Sequence, residues 1–505
     1  MGFWFRWQLV VTLSMLLSAC QLPTALDSFL RTVPEIPRGG TVTLAFPDTI
    51  PSVQPWHVES RAAEALVTVT QAGLMRLDAH GAPQLELLER WDASTDGLVV
   101  TATLKSNLLW SDALPLTSAD VAFTYTALTS FTPKTPMLRE LGVVEGVRAV
   151  DAQTVVFALK EPYAPLLTLW ALPILPMHVL GDQPIESLNL VSLATGAGPF
   201  VLTERDEKGA IHLKANPHYV RGAPYLDGLV LLTNATADAM TTGLQTAQIG
   251  IAELASGATI VPSESVSVAS YGQNELVAVL LNARDGHATS DGALRTILRR
   301  SLPISTTLQS AAIPEYEIAT SHVLDQHPFA VTTPLTTVVD IQPFMIDAGW
   351  VWDASTRTFL RDDKPLSLRI GVDNTNPDFV RIAEAIATQW RERGLTVVVD
   401  ALPRDAFLGQ FIPPFAYDVA IVAWGNGRSD GSYADTFLYD GTTYPLFAKE
   451  LVNPGMPDVR ATLNLTGYAD DIYEARIVSA QRTYDLAIRA TDERAALSRA
   501  DAAHV

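Results

Sequence analysis

Residues 366–402 read LSLRIGVDNTNPDFVRIAEAIATQWRERGLTVVVDAL. Two runs rich in aliphatic residues, LSLRIGV at 366–372 and LTVVVDAL at 395–402, flank a segment whose apolar residues Phe379, Ile382, Ile386 and Trp390 recur at helical spacing. Pro377 suits the first helical position, where no backbone N–H is needed, and Gly394 suits the left-handed residue that closes a helix. Strand, helix, strand in that order predicts a parallel α/β sheet, because a parallel neighbour is reached only through a crossover. A further run, DVAIVAW at 418–424, extends it, after a short helix near 405–412.

The first 280 residues are richer in strands. Val42 to Phe46 alternates and enters a proline-rich turn that ends at Trp56. Strands are predicted at 98–104, 154–159, 199–203, 211–215, 227–233 and 276–282, and a helix at 59–72. In LWSDALPLTSADVAFTYTAL at 109–128, Thr117 is placed to cap a helix with Asp120 at its third position, and Val121, Tyr125 and Leu128 share a face. Residues 470–500 read as helix with an interruption near Thr491, which can cap a second helix carrying Asp492 and Glu493.

The chain has 505 residues, enough for two to four domains at roughly 100–200 residues each. With 48% hydrophobic and 18% charged residues it is an ordered globular composition. Its 35 basic against 55 acidic residues leave a net charge of −20, with no clustered Lys and Arg to replace a polyanion's counterions. Nucleic acid is therefore not expected as a partner.

One cysteine excludes an internal disulfide framework and every multi-cysteine metal site. It stands at the end of MGFWFRWQLVVTLSMLLSAC, in which Arg6 precedes an uncharged apolar stretch from Trp7 to Leu17. That stretch is short for a bilayer span and suits a signal peptide at 1–19. Leu17-Ser18-Ala19-Cys20 resembles the bacterial lipobox, whose cysteine becomes a diacylated N-terminus. The expectation is an extracytoplasmic body tethered to the membrane by lipid at Cys20, with residues 20–38 as a proline-containing tether.

Several catalytic signatures are missing: there is no Gly-x-x-x-x-Gly-Lys, Gly-x-Gly-x-x-Gly after a strand or His-Glu-x-x-His. The nine histidines are scattered, with His212 and His218 six apart, and the acid pairs Asp362-Asp363 and Asp470-Asp471 read as turn or helix-cap charges. No enzyme, metal or cofactor is expected.

Trp110-Ser-Asp-Ala-Leu-Pro-Leu-Thr-Ser-Ala-Asp-Val121 resembles the signature of the family 5 extracellular solute-binding proteins, the peptide- and nickel-type receptors of ABC importers. Further landmarks follow in order: Ala149 to Phe157, Leu159-Lys-Glu-Pro-Tyr163, Ile174 to Val179, Gly196-Ala-Gly-Pro-Phe200, Ala215-Asn-Pro-His-Tyr219, Gly222 to Asp227, Ala348-Gly-Trp350, Tyr417 to Trp424 and Gly467-Tyr468. Ala113 departs from the glycine usual in the signature, and RTILRRSLP at 295–303 lacks the family's usual helix ending. The chain stops at Val505 where the family ordinarily continues, so a shortened or divergent member is expected.

The resemblance implies an α/β fold of the two-lobed periplasmic-binding-protein type (type II, cluster C) with an additional domain inserted in the first lobe. It would place lobe I at 39–58, 194–268 and 470–505, the additional domain at 59–193 and lobe II at 269–469. It implies a monomer that clamps an oligopeptide-like solute and delivers it to an ABC permease; a signalling or adhesion lipoprotein that kept the scaffold is the alternative. Peptide-binding relatives use an aspartate in the loop that here reads Trp424-Gly-Asn-Gly-Arg-Ser-Asp-Gly-Ser-Tyr433. Gly427 takes that position, Asp430 is its nearest replacement, Arg428 would favour an anionic group, and Trp424 and Tyr433 would offer rings. Gln54 and Trp56 would line the cleft from the first lobe.

Overall fold

The computed structural model describes residues 36–503, apart from 51–52, 57–59, 80, 131–137, 139, 182, 186–187, 190–193, 255–265, 270–274, 314–315, 320–326, 332–336, 408, 410–414 and 426–463. Three larger sheets organise the described chain.

The parallel crossover predicted from 366–402 forms as two strands, Ser367–Asp373 and Thr396–Leu402, joined by the helix Pro377–Glu392. Asn376 caps that helix through Asp378 N at 3.0 Å. Ile382, Ala383, Ile386, Ala387 and Trp390 form its buried face, so two alanines complete the stripe and let the helix lie close to the sheet. Gly394 adopts φ +86°, and a Cβ there would stand 2.3 Å from the Trp352 ring, so both conformation and space demand glycine. Val419–Gly425 runs parallel to Ser367–Asp373 on its other side, and Glu275–Leu281 closes the four-stranded sheet antiparallel to Val419–Gly425.

A five-stranded sheet is ordered Ile251–Ala252, Thr41–Ala45, Gly228–Leu232, Ile211–Ala215, Phe200–Arg205. Thr41–Ala45 is parallel to both its neighbours, and the remaining pairs are antiparallel. Between its first two strands in the chain lies a four-stranded antiparallel sheet of Leu88–Ala93, Val99–Leu104, Thr154–Leu159 and Val144–Ala149. Helix Ser118–Ser130 packs on this sheet and buries Val121, Tyr125 and Leu128, the face predicted from sequence. Tyr125 meets Phe157 edge-on at 5.1 Å between ring centroids, and Phe157 lies 5.1 Å from Trp170. Each such buried aromatic contributes about 1.5–3 kcal/mol by leaving water.

The final helices are Asp471–Arg482 and Leu486–Ala502, packed against each other. The break falls at Thr483–Asp485 and not near Thr491. Asp485 caps the second helix by accepting from Ala487 N and Ile488 N, while Thr491 is inside it, its hydroxyl returned to Ala487 O at 2.8 Å. Two residues of capping type compete within seven positions, and Asp accepts two N–H groups at once. The helices reach both ways: Arg482 pairs with Glu161 and Ala164 N donates to Gln481 O, while Arg299 pairs with Asp501.

Candidate functional site

In sheets with parallel strands, ligands collect at the carboxyl ends, where loops diverge and backbone groups are left unpaired. The four-stranded mixed sheet brings three such ends to one edge: Asp373, Leu402 and Gly425. In register, Asp373 stands beside Leu402. The Asp373 carboxylate is 7% exposed and both its oxygens are engaged: Oδ1 accepts from Thr375 N at 2.9 Å and Thr375 Oγ1 at 2.7 Å, and Oδ2 accepts from Arg404 Nη1 at 3.2 Å. Burial alone would raise its pKa, but the Thr375 hydrogen bonds and then the Arg404 charge outweigh it and hold the carboxyl below the ordinary range. Arg404 itself is 66% exposed.

The five-stranded sheet presents a second carboxyl edge at Ala45, Leu232 and Ala252. Phe46 N and Asn234 N knit the two loops there, to Leu232 O and Asp48 O. The Asp48 carboxylate accepts from Arg61 N at 2.7 Å and Ala62 N at 3.3 Å, and with Ser60 it caps the helix Arg61–Thr70. Arg61 also reaches Glu253, which follows the short strand Ile251–Ala252, at 3.6 Å.

Gln54, in the loop leaving Thr41–Ala45, is half-buried. Trp56 is 5% exposed and belongs to the buried cluster that includes Leu74 and Trp110, so its ring serves as packing. Trp424 lies in the strand Val419–Gly425 opposite Leu276. Cys20, Gly427, Arg428, Asp430 and Tyr433 lie outside the described residues. Asp373 and Arg404 were not singled out from sequence; the signal available was their place just at and just after the carboxyl ends of adjacent parallel strands.

The signature segment has an architectural role. Trp110 N and Leu114 O close a turn at 2.8 Å, Ser111 N donates to Gly196 O at 3.0 Å, and Gly196 N returns a bond to Ser111 Oγ at 3.2 Å. Thr117 N donates to Asp120 Oδ2 at 2.9 Å while Ala119 N donates to Thr117 Oγ1 at 3.3 Å, a reciprocal cap. Asp112 Oδ2 meets His178 Nε2 at 2.8 Å; burial pushes the Asp112 carboxyl up, but the His178 and Leu114 hydrogen bonds pull it down further. Asp362 and Asp363, both at positive φ, make the turn between Thr358–Arg361 and Lys364–Pro365, and Asp470 caps Asp471–Arg482. His212 Nε2 lies 3.3 Å from Asp206. Among the described residues no group of three or more His, Cys, Asp or Glu could hold a metal ion, and no helix is long and apolar enough to cross a membrane.

Residues 82–444 match the family described as "Bacterial extracellular solute-binding proteins, family 5 Middle". The chain is 30% identical to Protein XP55 of Streptomyces lividans over 227 residues, 44% of this chain and 42% of that protein's length. It is 24% identical to the oligopeptide-binding protein AppA of Bacillus subtilis over 415 residues, 77% of this chain and 74% of AppA. The crystal structure of the ABC transporter substrate-binding protein CtaP of Listeria monocytogenes superimposes with a TM-score of 0.72 at 21% identity, covering 92% of this chain and 91% of CtaP.

Proposed function

Because this chain belongs to family 5 of the bacterial extracellular solute-binding proteins and has their two-lobed α/β fold, we propose that it captures an oligopeptide-like solute between hinged lobes and delivers it to an ABC permease. The observation that carries the peptide reading is the alignment with an oligopeptide-binding protein over 77% of this chain. In this reading 39–58 and 194–268 form the first lobe, 59–193 the additional domain and 269–469 the second lobe. The final helices, 470–505, go with the first lobe and brace the additional domain and the second lobe through Glu161 and Arg299.

The activity is binding without chemistry. The solute meets both carboxyl edges at once only when the lobes are closed, so its binding free energy is differential and shifts the open–closed equilibrium toward the form the permease accepts. Closure removes water from the ligand's polar groups, and each buried charge then needs a charged or hydrogen-bonded partner. In the same reading Cys20 carries the lipid that keeps the monomeric receptor beside its permease; two acyl chains hold a protein where one does not.

Thermal melting against tri- to pentapeptides, oligosaccharides and nickel chelates tests the function. A peptide at a hundredfold excess over its Kd should add about 2.7 kcal/mol to stability, and should be recovered intact. No stabilisation by any peptide would refute the peptide reading, and hydrolysis of the peptide would refute the claim of binding alone. For the anchor, Cys20→Ser should move the protein from the membrane fraction to the soluble fraction; unchanged fractionation would refute lipidation.

A further inference from the structure

We propose that the turn of the final helix pair is a latch: its contact with the additional domain forms when the lobes close and parts when they open, so that it sets how tightly a solute is held without touching it. The inference rests on the two-lobed binding reading and adds to it a control on closure.

Helices Asp471–Arg482 and Leu486–Ala502 touch two bodies of the chain. Toward 269–469 they are fastened at several points along their length. Arg295 Nε donates to Ala503 O at 3.1 Å, and Arg299 Nη1 donates to Asp501 O at 2.8 Å while the same guanidinium pairs with the Asp501 carboxylate. Phe329 is buried with Ala490 and Leu497, and the Arg489 guanidinium lies over its ring at 5.0 Å. The stem that leads into the helices is tied to the same body, Ala283 N donating to Thr466 O and the Tyr417 hydroxyl to Leu465 O, each at 2.6 Å. Toward 59–193 the contacts gather at the turn, from Gln481 to Tyr484. Arg482 pairs with Glu161 at 2.8 Å, Ala164 N donates to Gln481 O at 2.6 Å, and the Tyr484 ring lies 5.7 Å from that of Trp91. The sequence resemblance puts these helices with the first lobe, but a hinge motion cannot keep both sets of contacts, and the set gathered at one turn is the one it parts. In this inference the helix pair therefore travels with the second lobe.

The turn contact is close to balance. The ion pair, the backbone bond and the ring contact favour it. Against them, Glu161 Oε1 and Gln481 Oε1 are buried with no hydrogen-bond partner among the described residues, two acceptors that water reaches once the contact parts. With the Arg482 side chain half exposed, the ion pair adds only a modest amount. Such a contact does not hold the lobes shut by itself. It raises the closed fraction, and the apparent affinity rises in proportion to that fraction for every solute alike.

The test uses the mature chain from residue 20 with Cys20→Ser, which removes its one cysteine, and spin labels at Glu145→Cys and Glu392→Cys, exposed positions on the two bodies. Label distances without solute and with saturating pentapeptide, and calorimetric affinities for several pentapeptides, are compared in this form, in Arg482→Glu, and in the exchanged pair Glu161→Arg with Arg482→Glu. Arg482→Glu should shift the ligand-free distances toward the open population and weaken every pentapeptide by the same factor, about threefold to tenfold, whatever its sequence or end groups. The exchanged pair should recover both. Distances and affinities that Arg482→Glu leaves unchanged, a loss confined to some peptides, an exchanged pair that recovers nothing, or identical distances with and without bound peptide overturn the latch while leaving peptide binding intact. A lower melting temperature with no change in distance or affinity does the same, since it marks a helix pair that only packs. A chain that binds no peptide refutes the binding reading instead, and the ligand-free distances then decide the latch by themselves.

Discussion

The Tyr219 hydroxyl donates to Glu86 Oε1 at 2.7 Å across 133 positions of chain, joining the loop beyond Ile211–Ala215 to the segment that enters the antiparallel sheet at Leu88. Glu86 is 4% exposed, with Arg76 Nε at 3.4 Å from its other oxygen, and Lys105 Nζ donates to its backbone carbonyl at 2.7 Å. One buried carboxylate thus ties the two sheets together. Tyr219→Phe removes its donor and should cost about 1–3 kcal/mol in a denaturant titration.

The same pair makes a pH prediction. Burial, then the hydrogen bond to Glu86 and its charge, push the Tyr219 phenol up from 10.0 to about 12. A raised folded-state pKa means the unfolded chain releases this proton first. The contribution is therefore complete below pH 10 and is lost as pH rises toward 12. Wild type should lose melting temperature more steeply across that window than Tyr219→Phe; parallel slopes would contradict the linkage.

Ala113 adopts φ +69° in the turn that starts at Trp110, a left-handed conformation costing an L-residue about 1–2 kcal/mol. Glycine carries no such penalty but gains about 0.4–1 kcal/mol of unfolded-state freedom. Ala113→Gly should therefore stabilise the protein by about 0.5–1 kcal/mol, read as a higher denaturant midpoint at unchanged slope. A lower midpoint would show that the Ala113 methyl makes contacts worth more than the strain.

Where sequence and structure agree, the determinant is local. The Asn376 cap, Pro377, the buried face through Trp390 and Gly394 specify one helix between two strands within a single window of chain, and the strands at 154–159 and 211–215 have the bounds their alternation predicts. What stayed illegible depends on partners far away. Asp373 meets Arg404 only because a parallel register aligns Asp373 with Leu402 across an intervening helix. Trp56 reads as a loop residue by its prolines, yet tertiary packing draws it into a core assembled from residues 72–197. The helix break falls at Thr483–Asp485 instead of near Thr491 because Asp485 and Thr491 are both competent caps, and Asp485 accepts from Ala487 N and Ile488 N together.

Trp390 Nε1 donates to Ser301 Oγ at 2.9 Å with both residues fully buried, linking the crossover helix to the end of Gly292–Arg300. Ser301→Ala leaves the indole N–H without an acceptor and should cost about 1–3 kcal/mol. Trp390→Phe removes the donor as well, so the double variant should be less destabilised than the two single changes added together. Additivity in that cycle would mean the bond contributes nothing beyond packing.

Gly196 and Gly198 carry the last prediction, because here space and not backbone conformation selects glycine. A Cβ on Gly196 would stand 2.0 Å from Thr70 O, and one on Gly198 2.5 Å from Thr70 C and 2.6 Å from Gln71 N, all backbone atoms that cannot swing aside. The approach is close because Gly198 N donates to Thr70 O at 3.0 Å while Gly198 O accepts from Asn216 Nδ2 at 2.8 Å, pinning this segment between the end of Arg61–Thr70 and the loop after Ile211–Ala215. Gly198→Ala must separate those elements and should cost about 1–3 kcal/mol or more. Gly146, in the strand Val144–Ala149, has nothing within 4 Å of an added Cβ and serves as the control. Gly146→Ala restricts only the unfolded chain and should be neutral or stabilising by up to about 1 kcal/mol. If the two variants melt alike, the close approach at Thr70 is not what fixes glycine in this motif.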